Sequence, residues 1–236
     1  MENKPSPEYV LYYWPVPFRG HFIRAILTYA GANWAEGENV PAVMGAAADK
    51  QPVPFMGPPL LVNRDGFAVS QTSAIALYLG EKLELLPESP EGRALAVKIV
   101  NDANDVINEV TLQGGMEMWT PQKWQDFVPR LQRWMSFWES ELARSQTDYL
   151  VGTKQPTIAD IVTATLWMTM RERFPKIGDL LDETAPNTAA LARKLWENEL
   201  AQFAKDSWDT FGDSYCGGQI EQSLRRVVNE TGASRQ

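Results

Sequence analysis

The stretch Tyr9-Val10-Leu11-Tyr12-Tyr13-Trp14-Pro15, continuing through Arg19-Gly20 into His21-Phe22-Ile23-Arg24-Ala25-Ile26-Leu27-Thr28-Tyr29-Ala30, decides the fold. Its first six residues are apolar or aromatic and favour strands, and the proline that follows has no N–H for a sheet ladder. They read as a buried strand. Phe22, Ile23, Ile26, Leu27 and Ala30 then recur at helical spacing until Gly31 stops the run. Further along, Leu60-Leu61-Val62 reads as a short strand, Asn63-Arg64-Asp65-Gly66 as a turn and Phe67-Ala68-Val69 as the returning strand of a hairpin. Thr72 to Lys82 follows as a helix, with Ile75, Leu77 and Tyr78 on the core side. Strand, helix, hairpin and helix in this order make an α/β layer that closes on an antiparallel pair.

The grammar changes at Leu86-Pro87-Glu88-Ser89-Pro90-Glu91-Gly92, a polar, proline-rich break that separates residues 1–88 from 89–236. Beyond it there is no strand pattern. Ala94 to about Leu112, Gln122 to Arg144, Ile158 to Phe174 and Thr188 to Trp208 all carry helical periodicity. Thr157-Ile158-Ala159-Asp160 fits a helix start, with Thr157 bonding an orphan amide and Asp160 in the positive first turn. The polar tail after Cys216-Gly217-Gly218 reads as one last helix and a frayed end. The expectation is an α+β chain of two domains, α/β first and all-α second.

Composition narrows the function. The 236 residues suffice for one large domain or two ordinary ones, and 44% hydrophobic content supplies a real core. A net charge of −8 argues against a nucleic-acid surface, while leaving room for a local cationic pocket that takes small acidic ligands. A single cysteine, Cys216, excludes an internal disulfide framework and a multi-cysteine metal site, and reads as a packing residue. No apolar run has the length of a membrane span and the polar start is unlike a signal peptide, so the cytoplasm is the expected location. On that expectation the sequon Asn229-Glu230-Thr231 is a chance match.

Four features together resemble the cytosolic glutathione transferases, in the tyrosine-type pattern of the mu, pi and sigma classes. Tyr13-Trp14-Pro15 followed by Arg19-Gly20 is similar to the family's opening. Gly57-Pro58-Pro59-Leu60-Leu61 resembles the cis-proline segment before the third strand, and Gln71-Thr72-Ser73-Ala74-Ile75 resembles the Gln-Ser motif at the next helix. Thr157-Ile158-Ala159-Asp160-Ile161 is similar to the capping box of the helical half. The order and spacing of these motifs carry the resemblance over nearly the whole chain. It implies a thioredoxin-like first domain, an all-helical second domain, glutathione as co-substrate and no metal.

The chemistry accounts for the residue types. A free thiol has a pKa of about 8.5, and a lowering of about two units makes thiolate the main form at neutral pH. A hydroxyl donating to sulfur favours the charged form. Side chains alternate along a strand, so only one of Tyr12 and Tyr13 faces the site; the resemblance assigns Tyr13 as the catalytic donor, because Trp14-Pro15 follows it. Gln71 and Thr72, at a helix start, suit the γ-glutamyl carboxylate. Lys50 stands where related chains hold the glycine carboxylate, or else is a solvated charge. Arg19, Pro58 and Pro59 complete the implied glutathione contacts, with Trp34 and His21 as weaker matches and His21 reading better as a helix-start residue. Asp105, or Asp102 on the same helix face, matches an acid that reaches a partner subunit's glutathione, which implies a homodimer. For the electrophile, the resemblance points to Trp14 and Phe18, to Leu112, Met116, Met118 and Trp119, and to the segment near Phe211 and Tyr215. Met and Trp suit adaptable apolar binding, although most such residues serve as core.

Two departures stand out. Pro17-Phe18 lengthens the loop after Tyr13 by two residues. Pro58 puts a residue without an N–H just before the expected cis-proline, which removes one glutathione bond unless Gly57-Pro58 is the working peptide. The implied activity is transfer of glutathione to small apolar electrophiles. Peroxide reduction or isomerisation by the same thiolate, and non-catalytic ligand binding on the same fold, are the alternatives.

Overall fold

A computed structural model describes residues 6–230. Four strands, β1 (Tyr9–Tyr12), β2 (Trp34–Glu36), β3 (Leu60–Asn63) and β4 (Ala68–Ser70), form one mixed sheet in the order β2-β1-β3-β4. β1 runs parallel to β2 with Tyr9 opposite Trp34, and antiparallel to β3 with Leu11 opposite Leu61. The expected hairpin pairs Leu61 with Val69. Helix α1 (Arg19–Tyr29) is the crossover a parallel β1–β2 pair requires, and α3 (Thr72–Lys82) follows β4. The two helices pack together beneath the sheet, burying Ile23, Ile26 and Leu27 of one and Ile75, Ala76 and Leu79 of the other. Leu77, expected on the core side, is exposed instead, because Ala76 and Leu79 complete the buried stripe with Ile75. A short helix α2 (Val40–Gly45) lies between β2 and β3. This first part is thioredoxin-like.

From Pro90 onward every regular element among the described residues is helical. The long helices α4 (Pro90–Val110) and α6 (Pro121–Arg144) are joined through the single turn α5 (Leu112–Gly115), whose four residues all have positive φ. They are followed by α7 (Ile158–Arg173), α8 (Pro175–Thr184), α9 (Pro186–Glu197), α10 (Ala201–Phe211) and α11 (Gly218–Glu230). The proline-rich break ends as a helix start: Ser89 accepts a bond from the Gly92 amide at 3.0 Å, and Pro90 occupies the first turn, where its missing N–H costs nothing.

α7 is the central pillar. Every residue from Ile158 to Met170 is buried, and the helix packs against α1, α4, α8 and α9. Its start is a reciprocal cap in which the Thr157 amide donates to Asp160 at 2.9 Å and the Ala159 amide donates to the Thr157 hydroxyl at 3.3 Å. Asp160 also receives the Leu150 amide at 2.8 Å, so the fully buried carboxyl is satisfied from two directions.

The long helix expected from Thr188 to Trp208 is two helices, α9 and α10, separated at Asn198–Leu200 where the Asn198 backbone leaves helical geometry. The expected frayed end and Thr231 of the sequon lie outside the described residues. Among the described residues no helix is long and apolar enough to cross a membrane.

Candidate active site

The loop from Tyr13 to Arg19 contributes to two openings of different character. One is a polar cleft of about 370 Å³. Arg19 lines it from the start of α1, Pro58 and Pro59 from the segment before β3, and Gln71 and Thr72 from the start of α3. Of the two candidate peptides, Pro58–Pro59 is the one that is cis. Gln71 holds φ at +75°, an uncommon state for a residue with a side chain, and its side chain does not cap α3. The first amides of that helix are therefore left open at its positive end. The far wall is one face of α4, where Asn101, Asn104, Asp105 and Asn108 stand at spacings of three, one and three residues. Arg19 donates from Nη2 to Asn108 Oδ1 at 3.1 Å, tying α1 to that face. Asp102 does not line the cleft; it is paired with Lys98 at 2.8 Å.

The other opening is an apolar cavity of about 640 Å³. Tyr13, Trp14 and Pro15 enter it from the end of β1, His21 and Arg24 from α1, and Trp34 from β2. The opposite wall is α10, through Phe203, Ser207 and Phe211. His21 is buried, its Nε2 lies 3.0 Å from the Ser207 hydroxyl, and its ring stands 4.6 Å from that of Phe203. Burial, with Arg24 and Arg173 nearby, holds the imidazole well below its ordinary pKa, so His21 is neutral. Arg24 is 4% exposed and fully engaged. Its guanidinium donates to Glu36 at 2.6 and 3.2 Å, to the Val16 carbonyl at 2.9 Å and to the Trp14 carbonyl at 3.1 Å. It thus pins the loop that follows Tyr13, and lies 5.5 Å from the Tyr13 ring centre.

Tyr13 is 6% exposed, with its ring lying on the backbone of Gly20. A Cβ at position 20 would stand 2.3 Å from Tyr13 Cγ, so only glycine fits. Burial pushes the phenol up to about 12, against the downward pull of Arg19, the Gly20 and Arg19 amides, and Arg24. Tyr13 is therefore a neutral hydrogen-bond donor at physiological pH and not a phenolate. Tyr12 points elsewhere: its half-buried ring packs on Gly37, and it lines neither opening.

The other sequence candidates are spread more widely. Lys50 is exposed, among the described residues is paired only with Asp49 at 3.6 Å, and lines neither opening. Phe18 packs edge-on to Tyr215, with ring centres 5.6 Å apart. Trp119 is buried against Trp124 and Phe127 and donates its indole N–H to the Val110 carbonyl at 2.8 Å. Met116 is 79% exposed and Leu112 half-buried in the left-handed turn, so neither of them nor Phe18 nor Trp119 lines the cavity. Burial raises the Cys216 thiol to about 12, which leaves it un-ionised. Arg24 and Phe203 line the cavity and are not among the residues the sequence singles out, whereas Gly20 is, as part of Arg19-Gly20. For Arg24 the only signal was an arginine inside an otherwise apolar helical run.

The comparisons agree with this architecture. Residues 95–227 match the family model described as the glutathione S-transferase, C-terminal domain. The probable glutathione S-transferase 6 of Caenorhabditis elegans is 30% identical over 150 residues, covering 61% of this chain and 71% of that one. Glutathione S-transferase 1 of Ascaris suum is 30% identical over 166 residues, covering 66% and 77%. The crystal structure of monomeric Na-GST-3, a glutathione S-transferase of Necator americanus, shares the fold, with a TM-score of 0.69 at 24% identity over 84% of this chain and 97% of that one. With a cis-proline cleft, a capped central helix and these relatives, the chain belongs to the glutathione S-transferases, enzymes that take glutathione as their co-substrate.

Proposed function

We propose that Tyr13 donates its hydroxyl proton in a hydrogen bond to the glutathione sulfur, and that the resulting thiolate attacks a small apolar electrophile held in the 640 Å³ cavity. Residues 1–88 form the glutathione-holding domain in this reading, and residues 89–236 add the helices that wall the electrophile site. Glutathione lies in the polar cleft, with Gln71, Thr72, Arg19 and the Pro58–Pro59 segment around it. The observation that carries the reading is the position of Tyr13, a phenol held neutral at the edge of the apolar cavity, six residues before an arginine that lines the polar cleft. A neutral phenol stabilises an adjacent thiolate and gives nothing comparable to the thiol, so the bond favours the reactive form. Trp14, Trp34, Phe203 and Phe211 offer the electrophile flat apolar faces, while neutral His21 adds no charge.

The test is Tyr13→Phe, which keeps the ring on Gly20 and removes only the hydroxyl. A hydrogen bond to a charged group is worth about 1.5–3 kcal/mol, so thiolate population and rate should fall by roughly ten- to a hundredfold. Glutathione binding should change little. The readout is the pH titration of thiolate absorbance in the glutathione complex. An unmoved titration in Tyr13→Phe, with a shift in Tyr12→Phe, would transfer the role to Tyr12.

A further inference from the structure

A much smaller cavity, of about 10 Å³, lies where α1, α7 and the segment between α10 and α11 meet. His21 lines both it and the apolar cavity. Three of its lining side chains carry a buried polar atom with no hydrogen-bond partner among the described residues: His21 Nδ1, Thr169 Oγ1 and the Tyr215 hydroxyl. The three residues are 1%, 3% and 2% exposed. Thr165, one turn before Thr169, also lines the cavity but donates to the Ile161 carbonyl at 2.7 Å, so the two threonines differ. The rings are held by their neighbours. Phe18 and Phe174 stand edge-on to Tyr215 at 5.6 and 5.3 Å, and Phe203 and Phe211 flank His21 at 4.6 and 5.9 Å.

The other side of the His21 ring fixes its tautomer. A neutral imidazole has one donor and one acceptor nitrogen. Arg173 donates from Nη2 to the Ser207 hydroxyl at 3.2 Å, and that hydroxyl lies 3.0 Å from His21 Nε2. Among the described residues it bonds nothing else, so its own proton goes to Nε2. The imidazole hydrogen is then on Nδ1, aimed at the small cavity. An apolar void stays dry, whereas one of this size with two to four polar partners holds a water that makes about three bonds.

We infer that the small cavity is a binding site for one water molecule, which accepts from His21 Nδ1–H and bonds the Thr169 and Tyr215 hydroxyls. A continuous chain then runs from Arg173 through Ser207, His21 and the water to Tyr215. It joins α7, α10, α1 and the C-terminal segment at the wall of the apolar cavity. His21, Thr169 and Tyr215 are positioning residues for that wall, whatever the apolar cavity takes up.

His21 is the only histidine, so nitrogen-15 NMR of the full chain labelled at histidine reports this ring alone. The parent should show its proton on Nδ1, with cross-relaxation from that proton to water. A proton on Nε2, or an Nδ1 proton without the water contact, overturns the inference. This spectrum needs no variant, so it decides even where a substitution disturbs folding. Urea unfolding then supplies a sign. In a dry cavity the Tyr215 hydroxyl is buried unsatisfied, and Tyr215→Phe would leave the midpoint unchanged or raise it. With the water in place the same change removes one of its bonds, and the midpoint should fall by about 0.3–1 M. Thr169→Val should act in the same direction, and the double variant should lose less than the two single losses added, because both hydroxyls share one water. An unchanged or raised midpoint in Tyr215→Phe, or strictly additive losses, overturns the shared water.

Discussion

The polar cleft and the apolar cavity share one loop and almost nothing else. The cleft is built from main-chain amides at the start of α3 and from amide and carboxylate side chains on one face of α4, elements anchored in the core on their opposite faces. The cavity is closed by α10, which comes after the central helices. Polar contacts tie the C-terminal segment to the rest, Ser207 to His21 at 3.0 Å, Arg173 to Ser207 at 3.2 Å and Arg225 to the Arg173 carbonyl at 3.2 Å, while within the segment Glu221 accepts from the Tyr215, Cys216 and Gly217 amides at 3.0, 2.9 and 2.6 Å. In the proposed reading, the half that holds the co-substrate sits on early structure. The half that would choose the second substrate sits on a late segment, where changes in sequence disturb the core least. Tyr13 lines the cavity, and the glycine that supports its ring follows Arg19, which lines the cleft.

That support is where the comparison breaks most sharply. Gly20→Ala places a Cβ 2.3 Å from Tyr13 Cγ, and Gly37→Ala places one 2.4 Å from the Tyr12 ring. Each overpacking should cost about 1–3 kcal/mol of stability, measured by urea unfolding. Only Gly20→Ala should also lose kcat/KM, by as much as about a hundredfold, because the phenol is moved off the sulfur. Loss of activity in Gly37→Ala with retention in Gly20→Ala would reverse the assignment of the two tyrosines.

Legibility in the sequence followed the strength of local signals. The α3 boundaries match the expected Thr72 to Lys82, because turn residues precede the helix and its apolar spacing is regular. The start of α7 was equally clear from Thr157 and Asp160. β2 and α2 were missed because three residues and six residues are too short for a period to show. α8 was missed although Pro175 marks its first turn. The break between α9 and α10 contains neither glycine nor proline, so nothing local announces it. Among the residues that line the two openings, Tyr13, Gln71 and Thr72 are nameable from the motifs and Asp105 from the resemblance. The Tyr13–Gly20 contact and the four-point hold of Arg24 exist only once β1, α1 and β2 are assembled. The α10 wall was likewise invisible, because Phe203 and Ser207 read as one face of an ordinary amphipathic helix.

The cavity wall should come away before the cleft does when its C-terminal anchor is weakened. Burial raises the Glu221 carboxyl, but the Gly217 amide, Arg225, and the Tyr215 and Cys216 amides outweigh it and hold its pKa below the ordinary value. A depressed folded value contributes stability that is full above the unfolded value, about 4.3, and is lost as pH falls through the folded one. Glu221→Gln should therefore lose about 2 kcal/mol at pH 7, in line with bonds to a charged group. The gap between parent and variant should close below about pH 4, where the parent carboxylate also takes up its proton. Hydrogen exchange should show α10 and α11 opening first in the variant while α3 and α4 keep their protection. Equal loosening of all four helices would mean that the two halves of the site are one cooperative unit.

The smallest effect is expected at Lys50. Resemblance places a lysine here against the glycine carboxylate of glutathione, yet its side chain is 75% exposed, among the described residues pairs only with Asp49, and lines neither opening. A solvated ammonium of this kind contributes about 0–1 kcal/mol to any partner it meets, and its lost side-chain freedom offsets part of that. Lys50→Ala should leave stability within about 0.5 kcal/mol and raise the KM for glutathione by no more than about twofold. The measurement is steady-state kinetics at two salt concentrations, since screening weakens any contribution that does exist. A tenfold rise in KM that shrinks with salt would show that the segment carrying Lys50 closes onto bound glutathione. The cleft would then be completed by a moving part, and the contrast between a preformed cleft and a late-built cavity wall would have to be redrawn with a third, mobile element.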